Sequence, residues 1–171
     1  MKNDRFFLTY LLVVLVQILI CNYLNLSMYV ALSLLPVIVL MIPIRYSTAV
    51  ALVVAFATGL VVDYLSEGLV GLNALALVPV ALCRRSVIKL VFGDEIFARG
   101  ENISLEQHGV MKMSIAIIAS QSIFLLIYIW ADGAATRPFW FNVTRFMLSV
   151  ILGWLLSLLI SGALTPDRRE R

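Results

Sequence analysis

Polar side chains are rare inside the apolar stretches of this chain, so each one found there is a candidate for chemistry. Asp63 and Arg145 are charged residues at the edges of apolar runs, and Gln17, Asn73 and the Ser120-Gln121-Ser122 triplet are uncharged ones within them. An acid and a cation can move protons or hold ions, but transport of either normally requires acidic groups near mid-membrane, and no run has one there. His108 is the only histidine and falls in a polar turn region, away from Asp63, while Cys21 and Cys83 sit in separate places. That set spells no metal-ligand cluster. Gly-x-Ser-x-Gly and phosphate-loop patterns are absent as well. No catalytic residue, metal or cofactor is therefore expected, and the remaining chemistry for these groups is pairing and hydrogen bonding between helices.

The elements that must position them are apolar. The 171 residues are 62% hydrophobic and 13% charged, with a mean hydropathy of +1.01, whereas a soluble chain is about 45–50% apolar and about 25% charged. Six runs carry the hydrophobicity, approximately Phe6–Cys21, Met28–Ile44, Thr48–Val62, Leu69–Cys83, Val110–Trp130 and Phe146–Leu164. A hydrocarbon core of ~30 Å takes about 20 helical residues. The fifth and sixth runs meet that length, and the first, third and fourth must borrow flanking residues such as Asn22, Tyr23 or Tyr64. The expectation is an all-α integral membrane protein, a compact bundle of six transmembrane helices forming one domain over residues 1–171. The first run follows Lys2 and Arg5 in the manner of a signal peptide, but Ile20-Cys21-Asn22-Tyr23 offers no small-x-small cleavage site, so a retained helix is expected.

Basic residues set the orientation. Lys2, Arg5, Arg45, Arg84, Arg85, Lys89, Arg99, Lys112, Arg168, Arg169 and Arg171 all fall on one side of the six runs, against Arg137 alone in the loops of the other side. By the positive-inside rule both termini are cytoplasmic, in a multi-pass membrane protein. The net charge of +3 follows from this sidedness and implies no nucleic-acid partner. Cys21 and Cys83 then lie at opposite faces and are expected to pack as small hydrophobes.

Within the runs, Pro36 should kink the second helix, Pro43 should help end it, and Pro79 should interrupt the fourth. Kinks in two neighbouring spans could open a cavity, since freed backbone groups must be buried in protein or meet water. The cytoplasmic segment at about 84–109 begins with a basic, apolar stretch suited to the headgroup layer. Near its end Ser104-Leu105-Glu106-Gln107 has the form of a capping box that would start the fifth helix.

Two rows of small residues at four-residue spacing stand out, Ala51-Ala55-Gly59 leading to Asp63, and Ser149-Gly153-Ser157-Ser161 following Arg145. Such rows let helix backbones approach closely, either as seams within the bundle or against a partner's helix. Asp63 and Arg145 would share the outer boundary. Either they meet as an ion pair fastening the third helix to the sixth, or Asp63 is solvated and Arg145 snorkels outward. The single amides are expected to make interhelical hydrogen bonds, with a substrate site as the other reading.

The stretch from Gly59 through Asp63, Ser66, Gly71 and Asn73 to Ala74, followed by Arg84, resembles the rod shape-determining protein MreD family. In that family a Gly-Leu-x-x-Asp element ends the third helix and a Gly-x-x-Ala element opens the next; Asn73 stands where members often carry His. The resemblance implies a non-enzymatic scaffold of the bacterial cell-elongation machinery that helps maintain rod shape and peptidoglycan synthesis. Its partners would be an MreC-like single-span protein and, alongside, an MreB-like filament, RodA and a class B penicillin-binding protein. Partner-span binding is assigned to Ala51, Ala55 and Gly59 or to Ser149, Gly153 and Ser157. Gly71, Asn73 and Ala74 open the fourth helix. Arg84, Arg85, Asp94, Glu95 and Arg99 are candidates for cytoplasmic contact, the other reading being ordinary positive-inside anchoring. The family's layout is also similar to vitamin-binding subunits of energy-coupling-factor transporters, so a small-molecule-binding membrane subunit is the alternative.

Overall fold

The computed structural model describes residues 2–23, 29–66, 70–99, 103, 105–133 and 137–164, with side chains for all of these except 2–6, 98–99, 105–107 and 163–164. Its elements are α1 (Lys2–Tyr23), α2 (Leu35–Leu40), α3 (Thr48–Leu65), α4 (Leu72–Phe92), α5 (Glu95–Arg99), α6 (Leu105–Asp132) and α7 (Phe139–Leu164), and no strand occurs among the described residues. Thr48–Leu65, His108–Asp132 and Phe139–Gly162 are long and apolar enough to cross a membrane, and Phe7–Tyr23 is a shorter apolar helix. These features make it an all-helical, membrane-embedded chain. The expected capping box at Ser104–Gln107, the Arg99 side chain and the tail cations Arg168, Arg169 and Arg171 lie outside what is described.

Local chemistry sets the helix ends. Ser47 caps α3 by accepting from Val50 N at 3.4 Å. At the far end, Ser66 returns its N–H and its hydroxyl to Val62 O. Gly71 opens α4 at φ 97° and Gly93 closes it at φ 87°, left-handed positions that favour glycine. Gly109, at φ 80°, breaks the first turn of α6 from the rest.

Three expectations change. The second run is no long helix: only Leu35–Leu40 is helical, and Pro36 stands in the first turn rather than kinking a span. Proline has no N–H and its ring crowds the carbonyl four residues back, here that of Leu32, so a helix continuing through Pro36 would leave Leu32 O unpaired. α4 carries Pro79 inside it and continues past the expected end at Cys83 to Phe92, 21 residues in all, ~31 Å at 1.5 Å per residue. The last helix starts at Phe139, seven residues before the expected Phe146, which places Arg145 in its second turn.

Contacts run in the order α3–α4–α6–α7, with α1 touching α2, α3 and α7. The short α2 packs on α1, α3, α4 and α6, and every residue from Ser33 to Ile44 is buried. A broken segment therefore forms the centre of the molecule, with long helices around it. Outward faces are apolar and exposed, as Leu8, Leu12, Val53, Phe56, Ile151 and Leu155 illustrate, the distribution required of a surface solvated by lipid.

Candidate functional site

The central segment poses the main physical problem. Irregular backbone inside a bilayer must find its hydrogen bonds in protein, because an unmet peptide group there costs several kcal/mol. Residues 31–34 have no helical ladder, and the side chains around them supply what is missing. Gln17 of α1 accepts from Leu34 N at 2.7 Å and donates to Leu32 O at 3.2 Å. One primary amide thus pairs with a carbonyl and an N–H two residues apart, as a neighbouring strand would. Its donor goes to the Leu32 carbonyl that Pro36 cannot serve. From the other side, Gln121 of α6 donates to Ser33 O at 3.0 Å, and Ser149 of α7 accepts from Ala31 N at 2.8 Å.

Arg84 closes the other end. Its Nε donates to Leu40 O at 3.1 Å and its second guanidinium nitrogen donates to Ile42 O. These are carbonyls at and just past the C-terminus of α2, where a cation is favoured by the helix dipole. Arg84 is 2% exposed. It is therefore an internal cap and not, as expected, a contact for a cytoplasmic partner: a long α4 carries residue 84 into the bundle instead of ending at Cys83. Arg85 does face outward, over the Phe97 ring at 5.8 Å. Asp94 pairs with Lys89 at 3.0 Å on the surface, and Glu95 is exposed in the first turn of α5.

A second constellation joins α3 to α4. Asp63, 2% exposed, accepts from Asn73 N at 3.1 Å and Asn73 Nδ2 at 2.8 Å on one oxygen, and from Gly71 N at 3.0 Å and Ala74 N at 3.3 Å on the other. The N-cap of α4 is Gly71, which has no side chain to cap with, so the carboxylate of the preceding helix meets those first-turn amides and the positive end of the dipole. Gly59 makes this possible. A Cβ there would stand 2.4 Å from Ala74 Cα and 2.5 Å from Ala74 N, so only glycine lets the start of α4 lie against α3. Gly59, Asp63, Gly71, Asn73 and Ala74 together form one clasp.

The expected Asp63–Arg145 pair is not formed. Arg145 donates to Asp132 at 2.5 Å, and Arg137 lies 3.5 Å from the same carboxylate oxygen. The short connection from α6 to α7 makes Asp132 the nearer acid, and Asp63 is fully used by α4. A signal for this pairing was present in sequence, since an acid ending one helix and a cation in the early turns of the next lie on either side of one loop.

Both small-residue rows are seams inside this chain, which corrects their assignment as grooves for a partner's span. Ala51 and Ala55 are 0% exposed, as are Ser149 and Ser157. Gly59 is occupied by α4 and Gly153 by the Gln121 side chain, whose Nε2 would lie 2.4 Å from a Cβ at that position. Elsewhere, Thr58 gives its hydroxyl hydrogen to Val54 O at 2.7 Å, so Tyr10 donates across to Thr58 Oγ1 at 2.6 Å and ties α1 to α3. Cys21 and Cys83 are free thiols. His108 lies edge-on to Phe92 at 5.0 Å. No group of three His, Cys, Asp or Glu able to hold a metal occurs among the described residues. The buried oxygens Ser33 Oγ, Ser120 Oγ, Gln121 Oε1 and Ser157 Oγ have no hydrogen-bond partner among the described residues.

In comparisons with known proteins, no family model matches the chain, and no match was found among curated proteins or solved structures.

Proposed function

We propose that this chain is a non-enzymatic scaffold of the MreD type in the bacterial cell-elongation machinery, seated in the inner membrane and bound to an MreC-like single-span protein. One observation carries the reading. The residues of the Gly-Leu-x-x-Asp and Gly-x-x-Ala elements, Gly59, Asp63, Gly71 and Ala74, act on one another as a single clasp, which gives the resemblance a physical basis. The interior supports it as well. Gln17, Arg84 and Ser149 direct hydrogen bonds to the chain's own backbone, as suits a rigid body that presents surfaces to partners. The reading takes six crossings, the broken segment counted as one, with both termini cytoplasmic. Asn22 of α1 donates to Leu65 O of α3 at the end where Asp132 meets Arg145, and the broken segment leads from that end to Ser47. An MreB-like filament, RodA and a class B penicillin-binding protein would act alongside.

With the small-residue rows occupied, the partner span is assigned to the lipid-facing side of α3. There Leu60, Val61, Tyr64, Leu65 and Val70 line an open apolar groove of about 400 Å³. A photo-crosslinking residue at Val61 should capture a single-span membrane protein from cells, whereas one at the buried Ala55 should not. Equal capture from both, or none from Val61 with the chain stably inserted, would remove this assignment. The second reading, a small-molecule-binding subunit, draws on the unpartnered Gln121 Oε1 and Ser33 Oγ beside the broken segment. A metabolite co-purifying in place of any single-span partner would favour it.

A further inference from the structure

Two guanidiniums share one carboxylate where α6 passes into α7, and the charge there does not balance. Arg145 and Arg137 both approach Asp132 Oδ2, at 2.5 and 3.5 Å, leaving one positive charge over among the described residues. Their hydrogen-bonding capacity is also unspent. Arg145 is 9% exposed and its Nε has no acceptor among the described residues, and Arg137 Nη1 has none among them either. Burying such donors unmet is unfavourable, so an acceptor bearing negative charge would be stabilised at this position.

The surroundings indicate which kind. The Arg137 guanidinium lies over the Phe141 ring at 5.4 Å, which holds it in place, and its side chain is 31% exposed. Beside it Phe139 packs edge-on to Trp130 at 6.3 Å and to Trp140 at 6.0 Å, and Trp140 is 77% exposed. Tryptophans at a helix end in a membrane chain sit at the level of the lipid headgroups. An anion at that level, next to apolar rings that accept a glycerol backbone and acyl chains, is a phospholipid. Arginine's planar fork matches phosphate oxygens. The leftover charge of one favours a headgroup with a single net negative charge over a zwitterionic one, whose ammonium would be repelled.

We infer that the Arg137–Arg145 pair at the α6–α7 turn binds the phosphate of an anionic phospholipid, with Phe139 and Trp140 flanking its glycerol region. The test is native mass spectrometry of the full chain in neutral detergent, titrated with phosphatidylglycerol or with phosphatidylcholine of the same acyl chains. The wild-type chain should retain the anionic lipid in preference. R137Q should weaken that retention about tenfold, the loss of one charge-assisted contact, while K112Q, an exposed cation on α6 remote from this turn, should leave it unchanged. R137K, which keeps the charge and loses the fork, should fall between them and serves if R137Q does not fold. Equal retention of the two lipids overturns the inference, as does undiminished retention in R137Q or R137K. Inorganic phosphate displacing the lipid at equal concentration overturns it in favour of a soluble anion. None of these outcomes depends on the scaffold reading.

Discussion

Asp63, Asp132 and Arg145 provide a test of how charge is organised at one end of the bundle, using the variants D63N, D132N and R145Q singly and in the pairs that include R145Q. In D63N one carboxylate oxygen becomes an amide nitrogen. Whichever oxygen is lost, two of four donors go with it, because Oδ1 serves both Asn73 groups and Oδ2 serves Gly71 N and Ala74 N. At about 1–3 kcal/mol for each buried group left unmet, and less than additively, D63N should destabilise the fold by about 2–4 kcal/mol. The Asp132–Arg145 pair has side chains 22% and 11% exposed, so its strength lies between that of surface and buried pairs. Its coupling energy should be about 1–3 kcal/mol after allowing for solvent screening. Asp63 and Arg145 have separate partners and should couple by less than about 0.5 kcal/mol. Equilibrium unfolding in mixed dodecyl sulfate and mild-detergent micelles, followed by helical circular dichroism, measures all of these. A larger coupling for D63N/R145Q than for D132N/R145Q would refute the reasoning and restore a direct link between α3 and α7.

Gly59→Ala should open the α3–α4 seam and lower stability by about 1–3 kcal/mol, since its methyl meets backbone rather than a flexible side chain; the same unfolding assay reads it. Arg84→Gln should cost about 2–4 kcal/mol through the carbonyls of Leu40 and Ile42, with amide exchange accelerated in 35–44 but not in α7. Gln17→Leu, close in size but without the amide, should cost about 1–3 kcal/mol and raise exchange at Leu34 N; unchanged exchange there would count against the strand-like pairing.

Much of the fold was legible. The apolar runs beginning at Phe6, Thr48, Leu69, Val110 and Phe146 correspond to α1, α3, α4, α6 and α7, because in hydrocarbon a helix is the local solution to backbone hydrogen bonding. The second run misled, because hydropathy reports burial and not the conformation that achieves it. Pro36 carried the hint, in the carbonyl of Leu32 that no helical N–H could meet. The polar residues singled out in sequence are those that organise the interior; of the readings left open, the Asp63–Arg145 pair is not formed, and the small-residue rows are seams within the bundle rather than grooves for a partner.

Residue types alone determined the solvent in which this chain folds, its five long helices, and the short set of polar groups that must be satisfied inside. Helix composition and membrane desolvation are local properties, so they can be read along the chain. Which group satisfies which was decided by the tertiary structure, through the register between helices. A hydrogen bond of about 3 Å is set by a shift of one helical turn: it gave Gln17 and Gln121 to the broken segment, Arg84 to the end of α2, and Asp63 to the first turn of α4.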